Sequence, residues 1–187
     1  RDVDYSDVFP GGGQIFVKTR SNGGDIRSYS IFLPDGYDRR KKYPLVIQYV
    51  AAYGIYPIPG LNGQYMREIL GRRDFGETMV AIIPCFYDRF SLFEILGLMD
   101  IIRHISDHFA VDMDRISLLG FCGSTSLCVQ AARYLPHVFS AMALLAPYVE
   151  ERFLDRGLEE NLSNLQVTQI GNAEKGLHLA GFRYMRH

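Results

Sequence analysis

Two stretches of this chain, Tyr43 to Val50 (YPLVIQYV) and Thr78 to Pro84 (TMVAIIP), are almost continuously apolar over the length of a strand. A strand wetted on one face alternates polar and apolar residues. Unbroken runs are expected where both faces are buried, as in a parallel sheet covered by helices. Between and after these runs the periodicity changes. Leu61 to Arg73 is helix-compatible, and Phe93 to Phe109 carries Ile95, Leu98, Met99, Ile102 and Ile105 at helical spacing. Shorter strands are expected at Arg115 to Gly120, Ala141 to Leu145 and Gln166 to Ile170. A helix is expected at Ser124 to Leu135, and helical turns over Val149 to Leu165. Strand and helix in alternation define an α/β chain with a mostly parallel sheet and helices on both sides, in three layers.

The N-terminal quarter obeys a different rule. Residues 1–25 are rich in turn formers and enclose a strand at Gln14 to Thr19. Ser21-Asn22-Gly23-Gly24-Asp25 separates it from a second strand at Ile26 to Leu33, which Pro34-Asp35-Gly36 stops. This pair is expected as an antiparallel hairpin on the sheet edge. No repeat, low-complexity tract or linker breaks the chain, so all 187 residues read as one domain.

A hydrophobic share of 48% and a charged share of 22% are those of a globular chain. A net charge of −1 offers no footprint for nucleic acid or an anionic membrane. No apolar run approaches the roughly 18 residues of a membrane span. Arg1 opens no leader-like stretch. Cys85, Cys122 and Cys128 lack metal-ligand spacing, and three is an odd number for a disulfide framework. As thiols they favour a reducing, cytoplasmic setting, and a secreted mature form is the alternative.

The chemistry concentrates in Asp112-Met113-Asp114-Arg115-Ile116-Ser117-Leu118-Leu119-Gly120-Phe121-Cys122-Gly123-Ser124. A strand ending at Gly120 and a helix beginning near Ser124 leave Cys122 on a sharp turn. Such a turn requires small residues two before and two after its apex, so that strand and helix can approach; Gly120 and Ser124 satisfy this. A thiol there would lie near a helix N-terminus, which favours its thiolate.

This pattern resembles the nucleophile elbow of the α/β-hydrolases, and its surroundings resemble their esterase and prolyl oligopeptidase branch. The resemblance is carried by "YSIFLPDGYDRRKKYPLVIQYV", "HISDHFAVDMDRI" and "DRISLLGFCGSTSLCVQAARYLPHVFSAMALLAP", and runs from about Ser28 to Pro147. Cysteine in place of the usual serine is similar to the dienelactone hydrolase branch. The resemblance implies Cys122 as nucleophile, with an oxyanion hole made by the Gly123 N–H and an N–H from Ala51 or Ala52. It also implies Glu174, in Gly171-Asn172-Ala173-Glu174, as the acid. The family's histidine follows the acid at longer range than this chain reaches, and His178 is the nearest stand-in, ahead of His187.

The departures from the family are Cys122, Ser124 in place of the elbow's last glycine, and Val50-Ala51-Ala52 where relatives carry His-Gly. Tyr53, with Tyr49, Tyr56, Pro57 and Pro59, would line an aromatic-friendly pocket after the first parallel strand, joined by Phe86, Tyr87 and Phe90 after the next. Ser124 and Ser126 are expected as helix-start caps. His104 and His108 are spaced i, i+4 as metal ligands can be, but with no third ligand they are expected on a solvated helix face. No metal or organic cofactor is implied. The expected function is hydrolysis of a small-molecule carboxylic ester, or secondarily a peptide-like amide. The competing readings are a non-catalytic binding protein on the same fold and a piece of a longer hydrolase.

Overall fold

The computed structural model describes residues 14–20, 26–34, 36–51, 77–85, 92–121, 124–145 and 166–170. These form seven strands: β1 (Gln14–Arg20), β2 (Ile26–Phe32), β3 (Tyr43–Ala51), β4 (Met79–Cys85), β5 (Val111–Phe121), β6 (Ala141–Leu145) and β7 (Gln166–Ile170). Two helices are described, α1 (Leu92–His108) and α2 (Thr125–Tyr134). The strands join one sheet in the order β1-β2-β4-β3-β5-β6-β7. β1 and β2 form the expected antiparallel edge hairpin, with seven residue pairs from Gln14↔Phe32 to Arg20↔Ile26. β2 joins β4 antiparallel through Ser30↔Ile82, Ile31↔Ala81 and Phe32↔Val80, and every pairing beyond is parallel. The turn ahead of β3 closes through Tyr37 N–H to Pro34 O at 3.1 Å, and Gly36 sits at φ +69°, the left-handed region that glycine occupies without strain.

The two faces of the sheet divide by residue parity, as a two-residue side-chain period demands. Tyr29, Ile31, Leu45, Ile47, Met79, Ala81, Ile116, Leu118, Met142 and Leu144 lie on one face, buried with Ile95, Leu98, Ile101 and Ile105 of α1 and with Leu127, Cys128 and Val129 of α2. Phe32, Val80 and Ile82 are buried on the other, with Val46 against them. Both described helices therefore serve one face. The segments expected to be helical at 61–73 and 149–165 lie outside the described residues.

β5 is longer than its sequence pattern. It begins at Val111 rather than Arg115, because Tyr43↔Val111 and Leu45↔Ile116 are both paired while the register shifts between them. Five steps along β5 match two along β3. The surplus residues are solvent-facing, held by Arg115 Nε to Asp112 Oδ2 at 2.6 Å. The amino end of the sheet is further tied by Tyr43 N–H to Ala110 O at 2.9 Å and by Ala110 N–H to the Tyr37 hydroxyl at 2.7 Å.

The expected solvated face at His104 and His108 is corrected. A 2.8 Å hydrogen bond joins His104 Nδ1 to the hydroxyl of fully buried Tyr29 on β2. His108 Nδ1–H donates to the His104 carbonyl at 2.8 Å, and the two rings stack 4.2 Å apart. Near-parallel rings with both Nδ1 atoms engaged do not converge on an ion. Among the described residues, buried His104 Nε2 has no hydrogen-bond partner. Burial, then the charge of His108, holds the His104 pKa below its usual value, with Asp107 opposing. A histidine kept neutral in the folded state takes up protons first in the unfolded chain. Its stabilising contribution is complete above the unfolded pKa of about 6.5 and is lost as pH falls from there through the lowered folded value. Thermal unfolding midpoints should accordingly fall between pH 7 and pH 5, and His104→Phe should shallow that decline; an unchanged slope would refute the assignment.

Candidate active site

Positions for chemistry in this sheet are set by where its strands part. On its β4 side, β3 is paired up to Tyr49↔Ile83, Val50↔Pro84 and Ala51↔Cys85. On its β5 side the pairing ends earlier, at Gln48↔Leu119. β5 continues instead beside β6, through Gly120↔Leu144 and Phe121↔Leu145. Beyond Gln48 and Leu119 the two central strands separate, each following its outer neighbour. The chain leaves β3 for β4 on one side, and leaves β5 for β6 on the other. Adjacent parallel strands whose connections depart in opposite directions open a crevice at their carboxyl ends, where ligands bind in α/β sheets.

Ala51 is the last residue of β3 at this crevice, and Cys122 follows Phe121, the last residue of β5. Ala52, Tyr53, Cys122, Gly123, Glu174 and His178 lie outside the described residues, as do Tyr56, Phe86, Tyr87, Phe90 and His187. The strand that precedes Glu174 is β7, which β6 separates from β5. Cys85 ends β4 beside Ala51.

The junction that carries Cys122 is visible on both flanks. β5 ends at Phe121 and α2 begins at Thr125, with Ser124 as its N-cap residue. Only two residues separate strand from cap. At Gly120 a Cβ would stand 2.9 Å from Cys128 Sγ, 3.0 Å from Thr125 Cα and 3.2 Å from Thr125 Cγ2. The first two are backbone and buried side-chain atoms that have nowhere to go, so helix and strand meet here with room for hydrogen alone. This is the steric condition the turn pattern anticipated at the residue two before Cys122. On the far side, Ser124 is 1% exposed and Thr125 is fully buried. The expected cap is corrected in one respect: Ser124 occupies the N-cap position, but its side chain makes no capping hydrogen bond.

Sequence reasoning passed over Thr125 and Cys128. The signal was present, since positions three apart share a helix face and both residues are small. Among the described residues no cluster of three or more His, Cys, Asp or Glu could hold a metal ion, and no helix is long and apolar enough to cross a membrane.

No family model matches the chain, and no curated protein sequence does. Solved structures match throughout its length. A thermostable esterase superposes with a TM-score of 0.69 at 16% identity, covering 88% of this chain and 48% of its own. The feruloyl esterase module from Clostridium thermocellum, solved as an S954A mutant with sinapinate, gives 0.68 at 11% identity over 88% of this chain and 69% of its own. An S-formylglutathione hydrolase from Agrobacterium tumefaciens gives 0.63 at 15% identity over 98% and 88%. The chain thus spans about half the length of the first of these esterases. With the sheet order and the crevice, these likenesses define the fold as that of the α/β-hydrolases.

Gly120→Ala should destabilise the protein by about 1–3 kcal/mol, the usual range for overpacking a filled site, and Gly120→Val by more. Chemical denaturation measures this directly; a neutral Gly120→Ala would mean that strand and helix are not in the close contact described.

Proposed function

We propose that this chain is a carboxyl-ester hydrolase acting through Cys122, with small-molecule esters as substrates and peptide-like amides as a poorer class. The observation that carries the reading is the β5–α2 junction, where only two residues separate a central parallel strand from the cap of a helix packed hard against Gly120, beside the crevice at which β3 and β5 part. That the solved neighbours include esterases supports the same class.

In this reading the Cys122 thiolate attacks the ester carbonyl carbon. The oxyanion that forms is held by the N–H of Gly123 and an N–H from Ala51 or Ala52. Collapse expels the alcohol, which takes a proton from the general acid, and leaves an acyl thioester on Cys122. Water, deprotonated by the same group acting as base, releases the carboxylic acid and restores the thiolate. His178 is the candidate for that group and Glu174 for its orienting carboxylate, with Tyr53 on the pocket wall. A thiol of ordinary pKa, about 8.5, is only a few per cent ionised at neutral pH. The positive end of the α2 dipole supplies part of the needed field.

A non-catalytic binding protein on the same fold is the second reading. It is favoured by Ser124 in place of the elbow's closing glycine and by Val50-Ala51-Ala52 in place of His-Gly.

The two separate in one experiment. With p-nitrophenyl acetate, Cys122→Ala should lower kcat/KM by at least roughly a hundredfold, as loss of a nucleophile does. Alkylation of Cys122 by iodoacetamide, followed by peptide mapping, should show a midpoint below pH 8.5 or so. Turnover that survives Cys122→Ala, or no turnover together with a free-thiol alkylation profile, would remove the cysteine-hydrolase reading and leave the binding one.

A further inference from the structure

The contact beneath the elbow involves a side chain that the turn motif does not require. Of the atoms nearest the vacant Cβ position at Gly120, the closest is Cys128 Sγ at 2.9 Å, nearer than the Thr125 backbone at 3.0 Å. Cys128 stands six residues after Cys122 on α2, fully buried, with Thr125 one turn earlier on the same helix, also fully buried. The sulfur therefore occupies the seam between α2 and the last turn of β5 pairing, where Gly120 is matched to Leu144. Two residues beyond Gly120 the chain reaches Cys122, and two beyond that it reaches the buried Ser124 from which α2 starts. Cys122 and Gly123 are the whole of the chain between Phe121 and Ser124. The strand and helix on either side of them meet at the seam against Gly120, where the nearest atom is the sulfur.

We infer that Cys128 is a positioning residue for Cys122: its sulfur is the spacer that fixes the height of α2 over β5, and with it the distance from residue 122 to the helix N-terminus. The inference rests on the proposed nucleophilic role of Cys122. It extends that role to a side chain that touches neither substrate nor reacting atoms. Interiors are packed so closely that removing one buried atom is felt by its neighbours, and reacting groups displaced by as little as an ångström lose up to about a hundredfold in rate. A smaller residue at 128 lets helix and strand shift together, and a larger one pushes them apart. Either change moves the thiol relative to the helix dipole, whose effect fades within the first turn.

The test compares Cys128→Ala and Cys128→Val with Cys128→Ser, which keeps an atom at the γ position but a smaller one than sulfur. Two quantities are read in parallel: the pH midpoint of Cys122 alkylation by iodoacetamide, quantified by peptide mapping, and kcat and KM for p-nitrophenyl acetate. Cys128→Ala and Cys128→Val should raise the alkylation midpoint and lower kcat by roughly tenfold with little change in KM. Cys128→Ser should lie between Cys128→Ala and the parent in both. A variant that melts at a lower temperature yet keeps the parent midpoint and kcat would overturn the inference, since a purely structural role moves stability alone. Should one substitution fail to fold, the remaining two still decide the matter. The alkylation arm needs no turnover. If the parent protein has no esterase activity and Cys128→Ala still shifts the midpoint, the positioning role stands while the cysteine-hydrolase reading falls. If the parent turns over and the midpoint and kcat stay put in both Cys128→Ala and Cys128→Val, the positioning role falls alone.

Discussion

Between β5 and α2 there is no space for a side chain at position 120. Cys128 Sγ and the Thr125 backbone lie about where the first carbon of any side chain would be. Strand and helix meet this closely at the carboxyl edge of the sheet, with only Cys122 and Gly123 between Phe121 and Ser124. Everything that makes this edge distinctive follows from that contact. β5 ends at Phe121, α2 begins at Thr125, and Ser124 and Thr125 are both covered.

β3 supplies the second constraint. It is the strand with parallel neighbours on both sides that belong to opposite directions of chain travel, so its pairing with β5 ends at Gln48 while its pairing with β4 goes on to Ala51. The two ends of the sheet are thereby unlike. At the amino end, tyrosine hydroxyls and backbone groups from Tyr37, Tyr43 and Ala110 close the space between β3 and β5. At the carboxyl end the strands diverge. Stability and opportunity for chemistry are divided between the two rims of one sheet.

Most of this architecture was legible in the residues. The buried runs at β3 and β4, the hairpin, and the bounds of β6 and β7 follow from side-chain periods and turn formers, which are local properties. The order of strands was not legible, because β3 and β4 read alike as apolar runs and nothing local says that the chain must cross β3 to reach β5. The extra residues at the start of β5 were hidden for a similar reason. Asp112 to Arg115 look like a loop, and only pairing with Tyr43 makes Val111 a strand residue. His104 looked solvated because its partner, Tyr29, is 75 residues away on another element. At the candidate site, the small residues around Cys122 announced a tight turn, since sterics act at fixed spacing. An acid and a base are brought in by long-range folding, and Glu174 and His178 carry no such local signature.

The hairpin repays a final look. β1 and β2 are bound to each other through seven residue pairs, but β2 meets β4 through three. The Tyr29–His104 hydrogen bond is an additional tether to α1. Tyr29, Ile31 and Phe32 are buried, so β2 is anchored by side chains as well as by backbone pairing. Its departure would bare the flank of β4 at Val80, Ala81 and Ile82, a flat apolar edge with unmet backbone groups of the kind that recruits strands from other molecules. The hairpin thus covers a strand edge that would otherwise be open to pairing with other molecules.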